Sequence, residues 1–134
     1  MPGPNTPILQ LTVPTVGGDA NTWGTELNTD LGIIDNLGAA PTTVVNSTPY
    51  AATFSQFPES VFRVTTGASN LVFNLPSPTL CYGKIFTVKK LDLSAGIVQI
   101  MGSIDGFTEW DLTNQYQYVR LYSNGVSFDV IGNN

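Results

Sequence analysis

The chain has no histidine and a single cysteine among its 134 residues. Without histidine there is no Ser-His-Asp triad, no Cys-His pair and none of the commonest zinc ligand. One cysteine, Cys81, excludes an intrachain disulfide framework, reads as a small buried hydrophobe and fits a reducing cytoplasm. Charge is scarce as well: charged residues make up 11% of the chain, far below the roughly 25% of ordinary soluble domains. Basic residues number five, with only Lys89 and Lys90 adjacent, and the net charge is −5. That leaves no basic footprint for nucleic acid. No apolar run approaches the roughly 18 residues of a membrane span, and the opening MPGPNTP lacks the positive region and apolar core of a secretory signal. Shaft repeats, heptads and Gly-x-y runs are missing too, so the reading is a knob without a stalk.

What is present falls into three parts: an extended arm over 1–20, a helix over 21–39 and a β-rich knob over 40–134. Pro14 and Gly17-Gly18 prevent an earlier helix start, while Asp19, Asn21 and Thr22 offer capping oxygens. Trp23, Leu27, Leu31, Ile34 and Leu37 then recur at spacings of four and three, one face of a 3.6-residue helix. Gly38 ends it and Pro41 forbids a restart. A helix of this length is marginal alone, so its stripe must dock on its own β-body, a neighbouring subunit or a larger assembly. In the arm, Ile8, Leu11 and Val13 are spaced to add a short strand to a neighbour.

From Thr42 onward, short alternating segments separated by Gly, Pro, Asn and Asp predict strands every eight to twelve residues, the pattern of a small antiparallel β-sandwich or barrel. Asp105-Gly106 marks one turn, and Asn124-Gly125 predicts a type I′ hairpin, whose two central positions need positive φ. Along the strand before it, Tyr116, Tyr118, Arg120 and Tyr122 share a face.

Three groups of residues are candidates for chemistry. Glu109 and Asp111, with Asp105 nearby, form an acidic cluster with the two-residue spacing of a shared strand face. The calcium-loop pattern is absent, and a turn with a solvated strand explains these residues more simply than catalysis or metal binding. Cys81 has no activating base close in sequence. Trp110 and the tyrosines Tyr116, Tyr118 and Tyr122 make a candidate subunit interface or glycan-stacking face, the interface being favoured because tyrosine is enriched there. The expectation is therefore a protein without enzymatic activity, with no catalytic residues, no metal, no cofactor and no membrane or nucleic-acid partner.

The segment PTVGGDANTWGTELNTDLGIID, about a sixth of the chain, resembles one recurring in tailed-bacteriophage virion proteins, many of them tail fibres. Pro14, Thr15, Gly17, Gly18, Trp23, Gly24, Leu27, Asn28, Leu31, Ile34 and Asp35 carry the likeness. SIDGFTEWDLTNQYQYVRLYSNGVSFDVIG is similar to the closing β-segment of phage fibre and spike domains, although Phe128 stands where those usually have Trp. The resemblance implies a homotrimer on the virion surface, assembled in the bacterial cytoplasm. It would decorate or cement the capsid, held to the major capsid protein or another virion protein by Ile8, Leu11, Val13, Trp23, Leu27, Leu31, Ile34 and Leu37. The alternative it implies is a short tail fibre or receptor-binding tip that recognises a host glycan. A glycan hydrolase is a distant third.

Overall fold

The computed structural model describes Thr25, residues 27–31, 42–55 and 57–134. Of the expected helix, Thr25 and 27–31 are helical; the arm and the rest of the stripe lie outside the described residues.

The described residues form nine strands: β1 (Thr42–Val45), β2 (Tyr50–Ala51), β3 (Glu59–Val64), β4 (Leu71–Asn74), β5 (Ile85–Lys90), β6 (Val98–Ile104), β7 (Phe107–Leu112), β8 (Tyr118–Ser123) and β9 (Phe128–Asn133). A short 3-10 turn at Pro78–Leu80 leads into β5. Alternation is visible in the burial: Phe62 and Val64 of β3, and Phe86 and Val88 of β5, are buried, while their neighbours face outward.

The mainly β class agrees with the sequence, but the antiparallel sandwich or barrel does not. β1, β3 and β5 pair in parallel, and so do β2, β4 and β6. The chain thus steps back and forth between two parallel runs, a solenoid-like coil of three rungs: β1–β2, β3–β4 and β5–β6. The runs face each other through their aromatic rings. Phe62 of β3 meets Phe73 of β4 edge-on at 5.0 Å and Tyr50 of β2 edge-on at 6.1 Å. Along one run Phe86 stacks parallel to Phe62 at 6.3 Å. Antiparallel strands close the last rung: β8 on β5, β7 on β6, and β9 on β8. A parallel bridge from Ile104 to Phe128 ties β9 to β6 and joins the two runs. Parallel edges left by the coil are thereby covered at this end.

The rungs escape detection as a repeat because their lengths differ. Register partners lie 19 residues apart at Thr42 and Val61 but 26 apart at Glu59 and Ile85. On the other run the steps are 23 (Tyr50 to Phe73) and 27 (Leu71 to Val98). A coil with loops this uneven has no fixed period, so the sequence looks unrepeated.

Polar side chains hold rung on rung at the corners. Thr48 Oγ1 accepts the Val72 N–H at 2.8 Å, and Asn70 Oδ1 accepts the Ile97 N–H at 3.0 Å. The largest such staple is Lys90, fully buried at the end of the β5 inward row. Its ammonium donates to Asp92 O (2.7 Å), Asp92 Oδ1 (3.0 Å) and Ser94 O (3.0 Å). The Asp92 carboxylate in turn accepts the N–H groups of Gly67 (2.9 Å) and Thr66 (3.3 Å) on the rung before. Gly96 is pressed against that same corner, where a Cβ would collide with Ser69 O and approach Gly67 O to 2.8 Å.

The two turns exchange roles relative to expectation. Asp105 and Gly106 both have positive φ, 45° and 86°, between the paired residues Ile104 and Phe107, so the tight two-residue hairpin is here. At Asn124-Gly125 only the glycine is left-handed, with φ 90°. Asn124 instead spans a four-residue loop, its Oδ1 accepting from the N–H groups of Val126 and Ser127 at 2.9 Å each. The asparagine signal thus reflects side-chain capping rather than a type I′ turn.

Candidate functional site

The outward face of β3, β5, β8 and β9 carries most of the functional-looking chemistry, arranged in rows by the register. One row joins Ile85, Tyr122 and Asp129. The next joins Val61, Thr87 and Arg120. In it Arg120 grips Glu59 with Nε and Nη2, both at 3.3 Å, and the Thr87 hydroxyl donates to Glu59 Oε1 at 2.7 Å. The third joins Arg63, Lys89 and Tyr118, and beyond Tyr118 stands Asn134, whose Oδ1 accepts the Tyr118 N–H at 2.8 Å.

Tyr116 does not sit on that strand face. It occupies the turn before β8 with φ 63°, an uncommon conformation for a non-glycine residue. Backbone bonds hold it there: Tyr116 N–H donates to Lys90 O at 2.8 Å, and Lys90 N–H donates to Gln117 O at 2.9 Å. The Gln117 side chain braces the turn, its Oε1 accepting the N–H groups of Thr113 (2.7 Å) and Asn114 (3.1 Å). The Tyr116 ring is left 56% exposed, with Lys89 Nζ 5.4 Å from its centroid. Beside this turn lies a shallow cavity of about 290 Å³ lined by Asn114, Gln115, Gln117 and Asn134.

Trp110 is separated from the tyrosines. It pairs with buried Ile100 and packs against the core from β7, on the inward face. Tyr118 and Tyr122 do share an outward face. Of the stripe residues, Leu27 and Leu31 are exposed at 48% and 49%; Ile8, Leu11, Val13, Trp23, Ile34 and Leu37 lie outside the described residues.

The acidic cluster divides. Glu109 and Asp111 lie together on the outward face of β7, with Gln99 donating to Glu109 Oε1 at 2.8 Å. Burial, a hydrogen bond with Glu109 and the Glu109 charge all push the Asp111 carboxyl above its ordinary value. Asp105 turns away and accepts the Val130 N–H at 3.3 Å, anchoring β9. Among the described residues no three metal-ligating side chains converge. Cys81 is buried, its Sγ directed to Ser77 O at 3.4 Å, and burial raises its pKa, which favours the unreactive thiol. Lys84 beside it donates to Phe57 O at 3.0 Å.

Arg63, Lys89, Gln117 and Asn134 carry no local sequence signal as site residues, because only the parallel register of β3 on β5 places the first two side by side. No protein-family model, curated protein or solved structure matches the chain.

Proposed function

We propose that this is a non-enzymatic structural protein of a bacteriophage virion, a small trimeric knob on the capsid surface held through its N-terminal arm and helix. The segment 14–35 carries the reading: it joins a phage-type motif to an apolar stripe, and the two described members of that stripe, Leu27 and Leu31, stand about half exposed. Exposed leucines at helical spacing are available to a partner surface. The body suits a passive role, since two of its buried polar side chains tie segments of the fold together: Lys90 with Asp92, and Ser123 with the carbonyl of Pro78.

Quantitative mass spectrometry of purified particles tests the reading. A copy number within a small factor of the major capsid protein is the expected result. A few copies per particle would move the protein to the tail as a fibre or receptor-binding tip, and absence from particles would overturn virion membership altogether. Leu31→Asp should abolish incorporation, whereas normal incorporation would refute anchoring by the stripe.

A further inference from the structure

The disposition of positive charge is uneven. The five cations of the sequence are Arg63, Lys84, Lys89, Lys90 and Arg120. Lys90 and Arg120 are spent in ion pairs with Asp92 and Glu59, and Lys84 is buried against the Phe57 carbonyl. Arg63 is exposed and pairs with no carboxylate among the described residues; Lys89 is its direct register neighbour, with its ammonium 5.4 Å from the centre of the Tyr116 ring. Like charges opposite each other on adjacent strands, about 4.8 Å apart, destabilise a sheet. In a protein of net charge −5, this pair is a local reversal of sign that an anion would relieve.

What adjoins the pair defines the anion. Tyr118 continues the row from Lys89, and Tyr116 is fixed beside it by the backbone bonds that hold its positive φ. Next come side-chain amides, each tied down by one end. Gln117 and Asn134 use their carbonyl oxygens on backbone N–H groups, which leaves their NH₂ donors without a partner among the described residues. Gln115 uses its NH₂ on Leu91 O at 3.1 Å, which leaves its oxygen. The cavity of about 290 Å³ therefore presents immobilised donors and acceptors together, as hydroxyl groups require. From Arg63 over β5 and β8 to Asn134 the strip crosses three strand spacings, about 14 Å.

We propose that this strip binds an oligosaccharide bearing a carboxylate, of the uronic or sialic acid type. Arg63 and Lys89 take the carboxylate, Tyr116 and Tyr118 lie against the sugar rings, and Gln115, Gln117 and Asn134 hydrogen-bond the hydroxyls. Two cations with no carboxylate partner among the described residues match isolated carboxylates, whereas the net charge of −5 repels dense polyanions such as nucleic acid. The inference rests on the strip alone and is independent of where on a virion the protein sits.

The test uses the full chain on a panel of immobilised uronate- and sialate-containing oligosaccharides, each beside its carboxyl-reduced neutral analogue, with heparin as a polyanion control. The expected result is retention on at least one carboxylated member, weakened about tenfold or more by carboxyl reduction, by Arg63→Gln and by Tyr118→Ala, and unchanged by Glu109→Gln. Arg63 is exposed and its loss relieves the repulsion from Lys89, so Arg63→Gln should melt at or slightly above the parent, separating lost binding from lost fold. No retention on any carboxylated member, equal retention on the reduced analogues, or retention on heparin alone overturns the proposal. So does dissociation of a self-associated form by Tyr118→Ala in sedimentation velocity, which would make the strip a subunit interface.

Discussion

Replacing Lys90 by methionine probes the corner that joins the second rung to the third. Methionine preserves length and apolar volume, so the inward row of Phe86, Val88 and residue 90 stays filled. What disappears is an ammonium with no solvent exposure and its three donated hydrogen bonds, to Asp92 O, Asp92 Oδ1 and Ser94 O. Removing one partner of a buried ion pair costs about 3–5 kcal/mol. The Asp92 side chain keeps 16% exposure and its bonds to Gly67 and Thr66, so the lower end, about 3 kcal/mol, applies here. That is a large part of a typical stability of about 5–15 kcal/mol. Urea denaturation at neutral pH measures it directly. The pH dependence supplies a second readout. Burial by itself would raise the Asp92 pKa, but the Gly67 N–H, Lys90, Ser94 and the Thr66 N–H outweigh it and hold the carboxyl well below the usual range. A depressed carboxylate stabilises the fold above its unfolded pKa of about 3.9, and that contribution is lost as pH falls toward the folded value. Lys90→Met should therefore flatten the acid limb of the stability curve as well as lower its plateau. A loss under about 1 kcal/mol with an unchanged acid limb would refute the account.

Three further perturbations bear on other parts of the fold. Gly96→Ala sets a methyl group against the carbonyl oxygens of Ser69 and Gly67, both backbone, and should cost about 1–3 kcal/mol in denaturant titration. Phe73→Ala empties the centre of the aromatic stack between Tyr50 and Phe62, with an expected loss of about 3–5 kcal/mol; a loss as small as that of a surface residue would place the core elsewhere. Asp111 has a raised pKa, so its protonated form favours the fold at acid pH and that advantage is lost as pH rises past the unfolded value. Asp111→Asn should accordingly melt higher than the parent near pH 7, with the difference shrinking toward pH 4; an equal or lower melting temperature at pH 7 contradicts repulsion from Glu109.

Much of the local structure could be read directly. The two-residue alternation expected from Thr42 onward is present in β3, where Phe62 and Val64 turn inward, and Asp105-Gly106 forms a turn as expected. Pro76 and Pro78, which lack a backbone N–H, lie between β4 and β5 outside the described strands. The candidate site was legible only in fragments. Tyr118 and Tyr122 follow from two-residue periodicity, but Tyr116 leaves that face because the turn before β8 is fixed by long-range bonds to Lys90. Trp110, near the tyrosines in sequence, packs instead on the core.

The sequence by itself determined the β class, the inside and outside of its strands, and the positions where the chain must turn, all of which depend on neighbours a few residues away. Only the tertiary structure decided that the strands coil in parallel instead of folding back as hairpins. That choice depends on hydrogen bonds between strands 19 to 27 residues apart, joined by loops too unequal to leave a periodic trace. It also decided that Arg63 stands beside Lys89, and that Gly96 sits where no side chain fits. Periodicity along a strand records the direction in which each residue faces; the identity of the strand lying next to it is set by pairing across the sheet, which no local pattern records.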